Sequence, residues 1–124
     1  MSHSFFLPKL NLKTATRFEN YVFQLLKKEF RNCAIIEQAR LESGLIPDFV
    51  VECDRKLIVV DAKAKEFLKK SDIDQVIRYI QELDGDSAII YVADFTEVPD
   101  SIEDYAALNA VDIEHTNWRL SSNE

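Results

Sequence analysis

The chain has 124 residues, the length of one compact domain. It carries 15 lysines and arginines against 22 aspartates and glutamates, and this formal charge of −7 argues against a protein that coats nucleic acid through positive charge alone. Apolar residues make up 47% of the chain, too many for a disordered polypeptide. We therefore expect residues 1–124 to form a single domain with a hydrophobic core.

The N-terminal half predicts one helix followed by three strands. Apolar residues recur at three- and four-residue steps from Thr14 to Phe30, which indicates an amphipathic helix. Strands are predicted over residues 33–41, 45–53 and 56–64, and Ser43-Gly44 separates the first from the second. The short polar link Asp54-Arg55 predicts that the second and third strands form a hairpin.

The C-terminal half alternates helices and strands. A helix is predicted to open at the capping pattern Ser71-x-x-Asp74 and to end at Asp84-Gly85-Asp86. A buried strand over residues 87–93, a short helix over 100–108 and a short strand over 111–114 follow. The order α-β-β-β-α-β with a short α-β extension predicts an α/β fold, in which helices flank a mixed sheet.

Charge is unevenly distributed along the chain. Residues 1–81 hold 14 basic and 11 acidic side chains, a net of +3, whereas residues 82–124 hold 1 basic and 11 acidic side chains, a net of −10. This asymmetry hints at one face for a polyanion and at an acidic face turned away from it, although ordinary solvated surface would also produce it.

Cysteines, histidines and apolar runs give little sign of chemistry or of membrane insertion. Cys33 and Cys53 lie in apolar stretches and are expected to be small buried thiols. His3 and His115 are far apart in sequence and match no zinc pattern. The first residues do not resemble a signal peptide, and no apolar run approaches the ~18 residues of a membrane span. We expect a soluble cytoplasmic protein with no membrane partner.

The predicted hairpin brings two aspartates together. If Cys53 lies opposite Lys56, then Asp48 lies opposite Asp61, and Lys63 points to the same side, while the other side forms the core face. Facing carboxylates repel each other, and Mg²⁺ between them would relieve the repulsion. A plain ion pair between Lys63 and Asp61 would explain the same residues equally well. A three-residue turn would instead put the aspartates on opposite faces.

These residues also form a motif. Pro47-Asp48, followed after twelve residues by Asp61-Ala62-Lys63, resembles the PD-(D/E)XK motif of the restriction-endonuclease-like nucleases. In that superfamily the motif lies within an αβββαβ core, which is the order predicted above. The resemblance covers about residues 14–93, and residues 94–124 would then be an acidic α/β extension and tail.

Two further segments match the same superfamily. Phe18-Glu19 on the first helix resembles a segment whose glutamate reaches the metal site, although a glutamate pointing into solvent is an ordinary alternative. Gln75-x-x-x-Tyr79 resembles a Gln-x-x-x-Tyr element of several nuclease branches, and its four-residue spacing places both side chains on one helix face.

The resemblance implies a Mg²⁺-dependent deoxyribonuclease, more an endonuclease than an exonuclease, in which metal-activated water hydrolyses DNA phosphodiester bonds. Asp48, Asp61 and Glu19 would bind Mg²⁺, or Mn²⁺ in its place. Lys63 would be catalytic with them, and Gln75 and Tyr79 would support the site. Candidate contacts to the DNA backbone are Lys65, Lys69, Lys70, Arg17 and Arg78.

The implied partners follow from the small size of the chain. Because no segment for target recognition is evident, specificity would come from a homodimer, from a protein partner at the acidic C-terminal third, or from branched or structured DNA. The alternative is a catalytically silent nuclease-fold module that mediates protein or nucleic-acid interactions within a complex.

Overall fold

The computed structural model describes residues 12–120, which form three helices and five strands. The helices are α1 (Leu12–Glu29), α2 (Lys70–Leu83) and α3 (Asp100–Leu108). The strands are β1 (Ala34–Glu37), β2 (Phe49–Cys53), β3 (Lys56–Lys63), β4 (Ser87–Val92) and β5 (Val111–His115). The strands lie in the order β1-β2-β3-β4-β5. The β1–β2 and β2–β3 pairs are antiparallel, and the β3–β4 and β4–β5 pairs are parallel. The predicted α/β fold, with a mixed sheet flanked by helices, is confirmed.

Helices cover both faces of the sheet. The buried stripe of α1 at Phe18, Val22 and Leu26 packs on the face that carries Val51 and Val60. On the opposite face, Val59 and Ile90 pack against α2 and α3. The prediction of one core face in the β2–β3 hairpin is therefore wrong, because helices pack on both sides of these strands.

The first two strands are shorter than predicted. β1 ends at Glu37 because Gln38 has a φ of 51°, which takes the chain out of the extended conformation. Residues 39–48 then form an irregular connection, in which the Leu41 amide donates to the Leu45 carbonyl at 2.9 Å and Gly44 has a φ of 91°. The predicted strand bounds of 33–41 and 45–53 are corrected accordingly.

The α2 helix starts from a different cap than predicted. Its cap residue is Lys69, whose backbone amide donates to the Asp72 carboxylate at 2.8 Å. Ser71 and Asp74 lie within the helix, and Asp74 instead accepts a hydrogen bond of 2.6 Å from the Tyr105 hydroxyl of α3. The Ser71-x-x-Asp74 capping prediction is wrong, since the acid at position 72 reaches the first free amide.

The two cysteines are joined. Cys33 and Cys53 form a disulfide with a Cα–Cα distance of 4.8 Å, at the end of β1–β2 where Ala34 pairs with Glu52. Both side chains are half-buried, so the prediction of two buried free thiols is wrong. A disulfide is uncommon in reducing compartments, so it does not support the predicted cytoplasmic location. That location stays a prediction.

The structure can be compared only in part with the predictions that the chain has no signal peptide and no membrane span. The N-terminal segment judged for a signal peptide, together with His3, lies outside the described residues. Among residues 12–120, no helix is long and apolar enough to cross a membrane.

Within the acidic C-terminal third, β5 forms the edge of the sheet opposite β1. Strand β5 extends the sheet beside β4, and α3 packs next to α2. Trp118 is half-buried against Phe18, with ring centroids 5.1 Å apart. The short helix and strand predicted for this region are confirmed, and the proposed protein-binding face stays a prediction.

Candidate active site

The β2–β3 hairpin places the two predicted aspartates side by side. Asp54 and Arg55 form a tight turn with φ values of 52° and 68°, the left-handed conformation that two-residue hairpin turns require. Cys53 pairs with Lys56 and Phe49 with Val60, which is the predicted register. The three-residue turn that would have separated Asp48 from Asp61 is therefore excluded.

Each aspartate binds the backbone of the opposite strand. The Asp48 amide donates to Asp61 Oδ1 at 3.0 Å, and the Ala62 amide donates to Asp48 Oδ2 at 2.8 Å. Just beyond the last β2–β3 residue pair, the carboxylates thus continue the hydrogen bonding of the hairpin. These two hydrogen bonds hold both aspartate side chains in place at the open end of the hairpin. Asp61 is buried there.

Burial and mutual repulsion make ionisation of these acids costly. Burial is the main cause that raises the pKa of Asp48 to about 7, and the neighbouring Glu19 carboxylate raises it further against the opposing Ala62 hydrogen bond. Burial also raises the pKa of Asp61 to about 6, reinforced by the charge of Asp48 and opposed by Lys63. A cation would favour the ionised form of both groups.

Lys63 is held between Asp61 and α2. Its Nζ lies 3.3 Å from Asp61 Oδ2 and donates to Gln75 Oε1 at 2.8 Å. The Lys63 side chain retains 20% of its exposure, whereas that of Asp61 retains 4%. The predicted shared orientation of Asp61 and Lys63 is present, and the Lys63 side chain is both anchored and partly exposed.

The helix α2 presents the predicted pair to the site. Gln75 contacts Lys63 directly, and Tyr79 lies one turn further along the buried side of the helix. The pKa of Tyr79 is raised to about 12, mainly by burial and then by the charges of Asp61 and Asp48. Both side chains therefore belong to the same cluster as the aspartates.

Glu19 reaches the cluster from α1, and Gln38 accompanies it. The Glu19 carboxylate lies near enough to Asp48 to help raise the pKa of that aspartate. Gln38 Nε2 donates to Glu19 Oε1 at 3.4 Å, and the Gln38 amide donates to the Asp48 carbonyl at 2.9 Å. Sequence reasoning missed Gln38, because its role depends on the positive φ that turns the chain at the end of β1.

The residues predicted to contact the DNA backbone differ in their exposure and in their contacts within the protein. The Lys65 ammonium donates to both oxygens of Asp72, at 2.8 and 3.0 Å. The Lys70 ammonium lies 3.3 Å from Asp74 and 4.7 Å from the centre of the Tyr105 ring. Lys69 and Arg78 are exposed, and Arg17 is half-buried. Their contacts to DNA stay predictions, and Lys65 and Lys70 would have to exchange a carboxylate for a phosphate.

The donor set suits a hard divalent cation. Among residues 12–120, no three acidic, histidine or cysteine side chains form a ready-made metal cluster, and one oxygen of each aspartate is used by a backbone amide. Mg²⁺ needs only one or two carboxylates because it keeps several waters. The two facing aspartates with raised pKa values therefore fit this ion, with Glu19 near Asp48, whereas the described residues form no caged all-protein site.

Comparisons with solved structures place the fold among known proteins. The chain aligns with SfsA from Pyrococcus furiosus, solved in complex with Ca²⁺, at a TM-score of 0.52 and 19% identity over 81% of this chain and 56% of that one. It aligns with AF1548, a protein of unknown function, at a TM-score of 0.63 and 13% identity over 86% of this chain and 59% of that one. At these identities the likeness shows the fold alone. This chain spans less than three fifths of either structure.

Sequence comparisons add no family. No protein-family model matches the chain, and no curated protein matches it. The function of the chain therefore has to be inferred from the geometry of its own residues.

Proposed function

We propose that this chain is a metal-dependent nuclease of the restriction-endonuclease-like superfamily, which hydrolyses DNA phosphodiester bonds. The observation that carries the proposal is the convergence of Asp48, Asp61 and Lys63 at one end of the β2–β3 hairpin, with Gln75 bonded to the lysine. Two carboxylates and one ammonium in this arrangement suit a reaction on a phosphodiester, because cations must offset its negative charge.

Asp48, Asp61 and Glu19 are the residues that would hold Mg²⁺, with Mn²⁺ as a substitute. When bound, this ion would neutralise phosphate charge and acidify water. The raised pKa values of the two aspartates mean that cation binding displaces protons from this cluster.

Lys63 has a separate task. Its ammonium would donate to a phosphate oxygen and stabilise the charge that develops there, after giving up its contact with Asp61. The Gln75 carbonyl oxygen keeps the ammonium at the site during this exchange, because it accepts from Lys63 independently of Asp61. Gln75 is thus a positioning residue.

The test is a cleavage assay with linear duplex, single-stranded and branched DNA in Mg²⁺ or Mn²⁺. We expect the wild type to cleave at least one of these, and Lys63→Ala to lose roughly 100-fold or more of the rate, as for loss of one transition-state donor. Lys56→Ala is the matched control, since Lys56 is exposed at the opposite end of β3 and should leave cleavage unchanged.

Two outcomes would contradict the proposal. Cleavage by Lys63→Ala at the wild-type rate would mean that contaminating activity or other residues are responsible. If none of the DNA forms is cut with either metal, the catalytic function fails, and DNA binding without cleavage would favour the catalytically silent module.

A further inference from the structure

A groove lies at the C-terminal end of α1 beside the edge strand β1. Its volume is about 330 Å³. The residues that line it are Phe23, Lys27, Phe30, Arg31, Cys33 and Ile35. This volume lies at the small end of the range of ligand sites, so the groove would admit a nucleotide-sized group but not a duplex.

The lining is cationic in an acidic protein. Lys27 and Arg31 are exposed at the groove, and none of the six lining residues is acidic, although the whole chain has a net charge of −7. The carboxylate of Glu29, the residue before Phe30, accepts a hydrogen bond of 2.9 Å from the Tyr91 hydroxyl. Tyr91 does not line the groove, so this carboxylate is engaged by a residue outside it. The groove thus favours an anion.

Aromatic rings complete the groove. The Phe23 ring stacks on Phe49 with centroids 5.7 Å apart, and the Lys27 ammonium lies 4.7 Å from the Phe23 centroid. This contact holds Lys27 over the groove. Phe30 is only partly buried and offers an apolar wall on which a base can stack.

The groove is aligned with the candidate active site. Glu19, Phe23 and Lys27 follow one another at four-residue steps on one face of α1, so about 12 Å of helix separates Glu19 from Lys27. Phe49, which stacks on Phe23, directly follows Asp48. A strand that leaves the aspartates along this face of α1 would meet Lys27 first and Arg31 next.

We propose that this groove, which we call the α1 groove, binds a single-stranded segment of the nucleic-acid substrate as it leaves the active site. Lys27 and Arg31 contact its phosphates, and Phe30 stacks on a base. The inference rests on the proposed nuclease function and narrows its substrate class to DNA with a single-stranded tail or flap.

The first test measures binding without catalysis. A fluorescent single-stranded oligodeoxynucleotide is titrated with protein in EDTA, and anisotropy gives the affinity over a range of salt concentrations. We expect the double variant Lys27→Glu with Arg31→Glu to bind at least about tenfold more weakly, and its salt slope to fall by about 1.4, because two phosphate contacts are lost.

Lys28→Glu is the matched control. Lys28 is the neighbouring exposed lysine on α1, but it does not line the groove. We expect its affinity to stay within about twofold of the wild type, because long-range charge effects are largely screened at moderate salt. Equal weakening by Lys28→Glu and Lys27→Glu would show a general charge effect and overturn the proposal, and so would unchanged binding by the double variant.

Cleavage assays separate this inference from the nuclease proposal. With tailed duplex DNA, the double variant should show a raised KM and a kcat close to that of the wild type, while blunt duplex DNA is cut as by the wild type. Normal KM on the tailed duplex overturns the groove and leaves the nuclease standing. No cleavage by the wild type, together with the binding defect in EDTA, overturns the nuclease and leaves a single-strand binding groove.

Discussion

Single residues at the end of the hairpin carry the strongest physical signal in this molecule. Asp48 and Asp61 bind each other's strand through backbone amides, yet the pKa of each remains raised because burial and mutual repulsion outweigh those bonds and Lys63. A fold that keeps two such acids together holds a proton or a cation there.

The first residue-scale prediction concerns pH. Both aspartates have a folded-state pKa above their unfolded value of about 4, so the native state holds more protons between about pH 4 and pH 7. The free energy of unfolding without metal should therefore fall as pH rises through this window, by about 1.4 kcal/mol for each unit by which a pKa is raised. Urea denaturation in EDTA at several pH values measures it.

Asp48→Asn should make this pH profile shallower, since the neutral amide has the same shape and does not titrate, while Asp61 still titrates with a pKa raised by burial. Asp54→Asn is the control, because Asp54 is exposed in the turn at the other end of the hairpin. A wild-type profile that is flat or rises with pH would contradict the electrostatic account of the site.

At the scale of elements, the site depends on how three of them meet. The tight turn of the β2–β3 hairpin sets which residues face Asp48, α2 adds Gln75 and Tyr79, and α1 adds Glu19. The disulfide between Cys33 and Cys53 ties the loop after α1 to the far end of the same hairpin. It also gives the α1 groove one of its walls.

Removing this disulfide should destabilise the fold. The bridge spans a sequence separation of 20 residues, for which loop closure in the unfolded chain corresponds to about 3 kcal/mol. We expect Cys33→Ser with Cys53→Ser to lower the free energy of unfolding in urea by about this amount. Reductant should lower that of the wild type likewise and leave the double variant unaffected. Two titratable thiols in the unreduced, denatured wild type would contradict the bridge.

For the whole molecule, opposite edges of the sheet differ in charge. The α1 groove lies at the β1 edge, and the exposed acids Asp104, Asp112 and Glu114 belong to α3 and β5 near the other edge. Strand β5 therefore extends the sheet away from the groove. This arrangement favours the β1 edge over the β5 edge for a negatively charged substrate. A homodimer or a protein partner at the β5 edge stays a prediction.

Metal binding should stabilise the whole fold by mass action. A ligand at 100 times its Kd adds about 2.7 kcal/mol to the free energy of unfolding. We expect Mg²⁺ to raise the Tm above that in EDTA, with a larger rise above about pH 7 because the aspartates are then ionised. Asp61→Asn should abolish the rise and Asp112→Asn, at the β5 edge, should keep it. An equal Mg²⁺ effect on both variants would place the metal elsewhere.

Much of the fold could be predicted because its signals are local. Apolar residues spaced along one face of α1 mark a helix, and the two-residue link at Asp54-Arg55 sets the register of β2 and β3. From that register the proximity of Asp48, Asp61 and Lys63 followed. The four-residue spacing of Gln75 and Tyr79 likewise placed both on one side of α2.

Other features depend on contacts between residues distant in sequence, which local patterns do not contain. The pairing of β1 with β2 brings Cys33 to Cys53, the left-handed turn at Gln38 brings that side chain to Glu19, and burial on both faces follows from helices packing on each side. The raised pKa values of the aspartates belong to the same class. Local spacing thus specified which groups could meet, whereas their partners, burial and ionisation arose from long-range packing, because desolvation and charge coupling exist only once the chain has folded.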